Sequence, residues 1–137
     1  MTPEIQAFAA GFPVTLAHCA VSLVLLVAGA AIYAWLSPHR EIQEIRDGNS
    51  AAAVAFGGVL VGLAIPLAVS LVASTSALEL ALWGVSITAV QLLLFRLTDL
   101  GLRGLPERVE EGDVAAAVLL TAAKLACALL LAAGVAG

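Results

Sequence analysis

The sequence predicts an all-α integral membrane protein with four transmembrane helices, built as two parallel two-helix repeats. Composition is the first observation: of 137 residues, 62% are hydrophobic and 12% charged, with mean hydropathy +1.08, whereas soluble domains are about half apolar. The second is length. Apolar stretches of about 20 residues, enough to cross a hydrocarbon core of about 30 Å as helices, occupy residues 14–36, 50–72, 78–97 and 114–137. The third is internal likeness: residues 44–54, with Gly48 and Asn49, return as residues 108–118, with Gly112 and Asp113, at a spacing of 112 − 48 = 64. One membrane domain is expected over 1–137, with repeat one at about 14–73 and repeat two at about 78–137.

Helices are expected rather than strands because the apolar runs show no alternation of period two, and lipid forces each segment to satisfy its own backbone. Ahead of span one, residues 1–13 carry Glu4 and no Lys or Arg. The apolar run that follows is longer than the core of a secretory signal, so the segment is expected to be retained. Phe8 and Phe12 before span one, Tyr33 and Trp35 at its end, and Trp83 at the start of span three are expected as interfacial anchors. His18, near the outer end of span one, reads as interfacial rather than as a proton shuttle.

The first connector carries Ile42 and Ile45 on one face and Arg40, Glu41, Glu44, Arg46 and Asp47 on the other, the pattern of a short interfacial helix. Gly48 is expected to close that helix in the left-handed conformation, and Asn49 to cap span two. Gly112 and Asp113 take the same roles before span four, where Asp113 also complements the helix dipole. Between the two connectors, Glu44, Asp47, Glu107, Glu110 and Glu111 offer a candidate docking surface for a cytosolic protein partner. Asp99 stands between Arg96 and Arg103 at i−3 and i+4, which reads as a solvated ladder on one helix face.

Span two presents Ala51, Ala55, Gly58 and Gly62 along one side, a small-residue face that lets helices approach closely. The 64-residue offset carries this face to Ala115, Leu119, Ala122 and Ala126 of span four, so helix packing is expected through Ala122 and Ala126, either between spans two and four of one chain or between subunits. Lys124 is the outlier. It lies 124 − 113 = 11 residues into span four, about 16 Å at 1.5 Å per residue, where a Lys costs about 2.5–3.5 kcal/mol on insertion scales. Depth matching offers two partners: the Gln91 carboxamide, and the Gly62 carbonyl that Pro66 leaves without an N–H donor. A mid-membrane polar node of Lys124, Gln91, Gly62 and Pro66 is therefore expected, either gluing helices together or lining an ion or proton path.

The cations set the direction. Arg40 and Arg46 lie in the first connector, and Arg96, Arg103 and Arg108 surround the second, while both terminal segments and the turn at 74–79 hold none. By the positive-inside rule the connectors are cytoplasmic, and the N- and C-termini face the periplasm. Parallel repeats follow, without the inverted symmetry of many alternating-access transporters. A formal charge of −4 and the lack of any Lys/Arg cluster exclude a nucleic-acid partner. Cys19 and Cys127 sit inside apolar runs and are expected to stay unpaired. Neither has metal-ligand spacing to His18 or His39, so no metal or other cofactor is expected. The sequence shows no nucleophile triad, phosphate loop or pair of intramembrane carboxylates, which argues against an enzyme.

With residues 46–53 heading span two, Trp83-Gly84-Val85 and Val90-Gln91-Leu92 in span three, and residues 111–116 heading span four, the chain resembles a bacterial inner-membrane family. This is the family of domain of unknown function 350, also called the UPF0719 transmembrane proteins. The resemblance covers most of the chain. It implies a duplicated four-span protein of the inner (plasma) membrane, linked to the cell envelope, with no assigned catalytic residue. The function expected first is a non-enzymatic, homo-oligomeric membrane scaffold or partner-docking subunit in the lipid bilayer. The alternative is a small ion channel or transporter that uses the Lys124, Gln91 and Gly62 node. A multidrug exporter is weaker, since that chemistry needs an acidic group within the membrane.

Overall fold

The computed structural model describes residues 2–38 and 40–137; His39 lies outside them. Among the described residues six helices follow in order: α1 (Pro3–Leu36), α2 (Glu41–Arg46), α3 (Ser50–Ala73), α4 (Ala77–Gly101), α5 (Leu105–Glu110) and α6 (Val114–Ala136). The four long ones, α1, α3, α4 and α6, are each apolar and long enough to cross a membrane. They run up and down in succession. The short helices α2 and α5 therefore share one end of the bundle, the connector end, and the chain termini share the other with the turn at 74–76.

α1 starts eleven residues before the predicted span. Pro3 suits the first turn, where its missing N–H is no loss, and the Thr2 hydroxyl accepts a bond from the Ile5 N–H. Pro13 sits inside the helix and removes one ladder bond without breaking it. Phe8 and Phe12 stack on one another at 5.0 Å between centroids, on the part of α1 that no other helix covers.

The two connectors have like geometry. Gly48 and Gly112 end their short helices at φ +93° and +91°, which side chains avoid. Asn49 Oδ1 then accepts from the Ala52 N–H at 3.2 Å, and Asp113 Oδ1 from the Ala116 N–H at 3.3 Å. Asn49 also reaches across: its Nδ2 donates to the Val109 and Glu110 carbonyls at 3.0 and 3.2 Å, tying the start of α3 to the end of α5.

α3 is the central element and touches every other helix. Small residues set its spacing. Ala51, Ala52 and Ala55 pack on Ala116, Ala117 and Leu120 of α6, with Ile45, Leu102, Leu105 and Val109 closing the cluster. Deeper in, a Cβ on Gly58 would meet Thr121 side-chain atoms at 2.7 Å, and one on Gly62 would meet Phe95 Cζ at 2.6 Å. The Thr121 hydroxyl donates to the Val54 carbonyl at 3.1 Å, a bond between α6 and α3.

Ala122 and Ala126 are exposed, so they do not make the packing with span two that is expected within one chain. The reason is Lys124. Its burial fixes the rotation of α6, and residues two positions away on either side are turned about 200° from it, to the outside. Leu120, Thr121 and Ala128, at i−4, i−3 and i+4, take the inner face instead.

Facing residues also give the levels. Gly58 opposite Thr121 puts Lys124 level with position 61 of α3, and Gly62 opposite Phe95 puts that level at about position 96 of α4. α4 ends at Gly101, so Lys124 lies about five residues, or about 7 Å, inside the end of α4. The first two turns of α3 and α6 run on past that end, flanked by α2 and α5. Lys124 thus lies 11 residues from the cap of α6 but about five from the level where α4 ends.

Candidate functional site

Lys124 is 2% exposed and projects from α6 toward the connector end. Its Nζ donates to the Tyr33 hydroxyl at 2.6 Å and pairs with Asp99 Oδ1 at 2.9 Å. Tyr33 in turn donates its hydroxyl proton to Asp99 Oδ2 at 2.7 Å. The three groups close a triangle in which the phenol accepts once and donates once, and each carboxylate oxygen is used. The ring of Phe95, edge-on to Tyr33 at 6.1 Å, lies 5.7 Å from the ammonium and adds a cation–π contact.

Each member comes from a helix that has a reason to present it. Tyr33 lies in the last turn of α1, where an amphipathic ring bridges apolar and polar surroundings. Asp99 lies two residues from the end of α4. Lys124 leans back toward the N-terminus of its helix, as helical side chains do, and this carries its head toward the other two. Lipid on the outside and Leu, Ala and Phe on the inside leave the charge no cheaper place.

This replaces the predicted partners. Gln91 is fully buried, but neither its amide oxygen nor its nitrogen has a hydrogen-bond partner among the described residues, so Lys124 does not bond it. Gly62 and Pro66 are buried beside the α4 face, and Gly62 serves as the seat of the Phe95 ring. The predicted solvated ladder is corrected too. Asp99 has an 11% exposed side chain and turns inward to Lys124, because an interior ammonium draws a carboxylate far more strongly than a hydrated guanidinium does. One signal in the sequence could have found it: Asp99 is the single acid between Glu79 and Glu107, beside an apolar span whose neighbour hides a Lys.

Beyond the triangle a cavity of about 100 Å³ opens between α2 and α5. Glu41, Glu44, Asp99 and Glu107 line it against Arg96 and Lys124, four carboxylates to two cations. Glu41 is the notable wall. Its Oε1 accepts from the Ser37 hydroxyl at 3.4 Å, while Oε2 is buried with no hydrogen-bond partner among the described residues. Burial, reinforced by the Asp99 and Glu44 charges, raises the Glu41 carboxyl to about 7, against the opposing pull of Lys124 and Ser37. A carboxyl that gains and loses a proton near neutrality therefore stands beside a buried ion pair. Sequence reading placed Glu41 on the wet face of α2 and missed this.

The outer face of the connector end is different. Glu44, Asp47, Glu110 and Glu111 rim an open groove of about 640 Å³ floored by Gly48, Asn49 and Gly112. Asp113 pairs with Arg108, and its carboxyl is held below the usual range, first by the Ala116 N–H and then by that guanidinium. Cys19 and Cys127 are free. Among the described residues no group of three or more His, Cys, Asp or Glu could hold a metal ion.

The family model described as Domain of Unknown Function (DUF350) matches residues 7–135. The chain belongs to the DUF350 family. It is similar to the UPF0719 inner membrane protein YjfL of Escherichia coli K12, at 31% identity over 110 residues, or 80% of this chain and 83% of the relative. The YjfL protein of Escherichia coli O157:H7 matches with the same identity and coverage. No solved structure gives a significant match. Four apolar helices in a DUF350 chain, with relatives named as inner membrane proteins, support a multi-pass location in the inner membrane. The ion triangle is thus a feature of a DUF350 membrane bundle.

Proposed function

We propose that this protein is a non-enzymatic inner-membrane protein that moves a proton or a small cation, with Lys124, Asp99 and Tyr33 as its working site. The observation that carries the reading is the buried ion pair of Lys124 and Asp99 at the inner wall of a charged cavity. A charge inside a membrane bundle is costly, and ionisable groups held there mark substrate and ion pathways or proton relays. Asp99 and Glu41 supply acidic groups of the kind whose lack counts against a multidrug exporter in the sequence alone. The arginine distribution supports a cytoplasmic cavity mouth with both termini in the periplasm. The like geometry of the two connectors supports a duplicated hairpin.

Purified protein in liposomes tests this. Flux of H⁺ or K⁺ that is lost in Lys124→Met, with the bundle still folded, is the expected result; wild-type flux in that variant would reject the reading. A second reading, docking of a basic cytosolic partner by an oligomeric scaffold, is favoured by the four acids that meet in the groove of α2 and α5. Absence of flux, together with a partner lost in Glu44→Lys, would select it.

A further inference from the structure

Three polar side chains in the middle of the bundle have no use in the triangle. Gln91 is 0% exposed, Ser70 1% and Thr88 9%. The Gln91 amide and both hydroxyls have no hydrogen-bond partner among the described residues. Leaving a buried polar group unbonded is costly, and native structures do so rarely, most often where the group has work with water or an ion. Leu or Val would fill the same space without that cost.

Their placement is ordered. Gly62 opposite Phe95 puts Gln91, one turn along α4, level with Pro66 of α3, and Thr88 about level with Ser70. The three therefore fall within about 6 Å of one another along the bundle axis. On the far side Ser70 also lines a cavity of about 150 Å³ with Ser74, Glu79 and Trp83 at the terminal end. On the near side the Phe95 ring, 0% exposed and seated on Gly62, stands between Gln91 and the Lys124 ammonium.

We infer that Gln91, Thr88 and Ser70 form the inner half of a proton path running from the charged cavity to the terminal-end cavity, with the Phe95 ring as its apolar gate. The inference rests on the transport reading and names its cargo. Hydroxyls and a carboxamide both donate and accept, so they can order water along which a proton passes. They carry no charge to replace the hydration shell of a metal cation or an anion, and the interior between the cavities is packed with Leu and Ala. At the mouth a proton bound to a Glu41 oxygen leaves for a water oxygen, one O–H bond breaking as another forms. Each later hop repeats that exchange, and no electron is transferred.

Liposomes holding the full chain and a trapped pH dye, clamped with valinomycin and K⁺, give the test. Gln91→Leu is expected to lower proton flux by about tenfold or more, and Thr88→Val with Ser70→Ala to lower it further. Phe95→Ala is expected to raise it. Gln91→Leu should melt no lower than wild type, since it removes an unbonded amide, so lost flux is not lost folding. Wild-type proton flux in Gln91→Leu, alongside loss in Lys124→Met, would overturn the path and leave the working site standing. Flux of K⁺ without H⁺, read in liposomes free of valinomycin, would do the same, and absence of any flux in the wild type would overturn both.

Discussion

Exchanging Lys124 and Asp99 for apolar residues, singly and together, separates a buried ion pair from two unrelated charges. Their side chains are 3% and 11% exposed and meet at 2.9 Å. Removing one partner of such a pair strands the other in the bundle and costs about 3–5 kcal/mol. Removing both, as Lys124→Met with Asp99→Leu, takes away the desolvation along with the attraction, and lands within about 1–4 kcal/mol of wild type, on either side. Tyr33→Phe, which deletes the hydroxyl shared by both charges, is expected to cost about 1.5–3 kcal/mol, the worth of a hydrogen bond to a charged group. Reversible unfolding by SDS titration in bicelles, followed by the fluorescence of Trp35 and Trp83, reads each value. The expected signature is a double variant far more stable than the sum of the singles allows. If Asp99→Leu alone proved neutral and the two costs added, the charges would not face each other in the membrane and the triangle would be wrong.

Other outcomes follow from the same geometry. The Glu41 carboxyl sits at about 7 against an ordinary 4.5, so the folded state holds its proton more tightly than the unfolded one. Stability should be full below about pH 4.5, fall up to about pH 7 and level off above, by at most on the order of 3 kcal/mol and less where water screens the charge. Glu41→Gln should remove that slope in pH-resolved unfolding. Gly62→Ala pushes a Cβ into the Phe95 ring and should cost about 1–3 kcal/mol, recovered in part by Phe95→Leu; equal melting of Gly62→Ala and wild type would show a looser seat. Asn49→Ala loses a helix cap and two bonds to α5, for about 1–2 kcal/mol, and protease sensitivity of the connectors should rise with it. A periplasm-activated reporter fused after Gly137 should be active and a cytosol-activated one silent.

Much of the fold is legible in the sequence because lipid enforces it. Four apolar runs of sufficient length leave helices as the economical answer, and Gly48 with Asn49, like Gly112 with Asp113, mark turns that few other residues make. What could not be read is rotation and level. The 64-residue offset transfers a face from α3 to α6 only if both helices are turned alike, and burial of Lys124 turns α6 so that Ala122 and Ala126 face out. Depth counted along one helix ignores that α3 and α6 outrun α4, so Lys124 was matched with Gln91 instead of Asp99. Tyr33 and Asp99, distant from Lys124 by 91 and 25 residues (124 − 33 and 124 − 99), had ordinary local explanations as an interfacial ring and a partner of nearby arginines. Their common target appears only when the helix ends are brought together.

The most direct test of the account is a dipolar-coupling measurement in lipid bilayers, by solid-state NMR, between the Lys124 ¹⁵Nζ and the ¹³C carboxylate of Asp99. Strong coupling, matching the 2.9 Å N–O contact and lost in Tyr33→Phe only in part, is the predicted result. A Lys124 nitrogen coupled to the Gln91 carboxamide carbon, with none to Asp99, would contradict it.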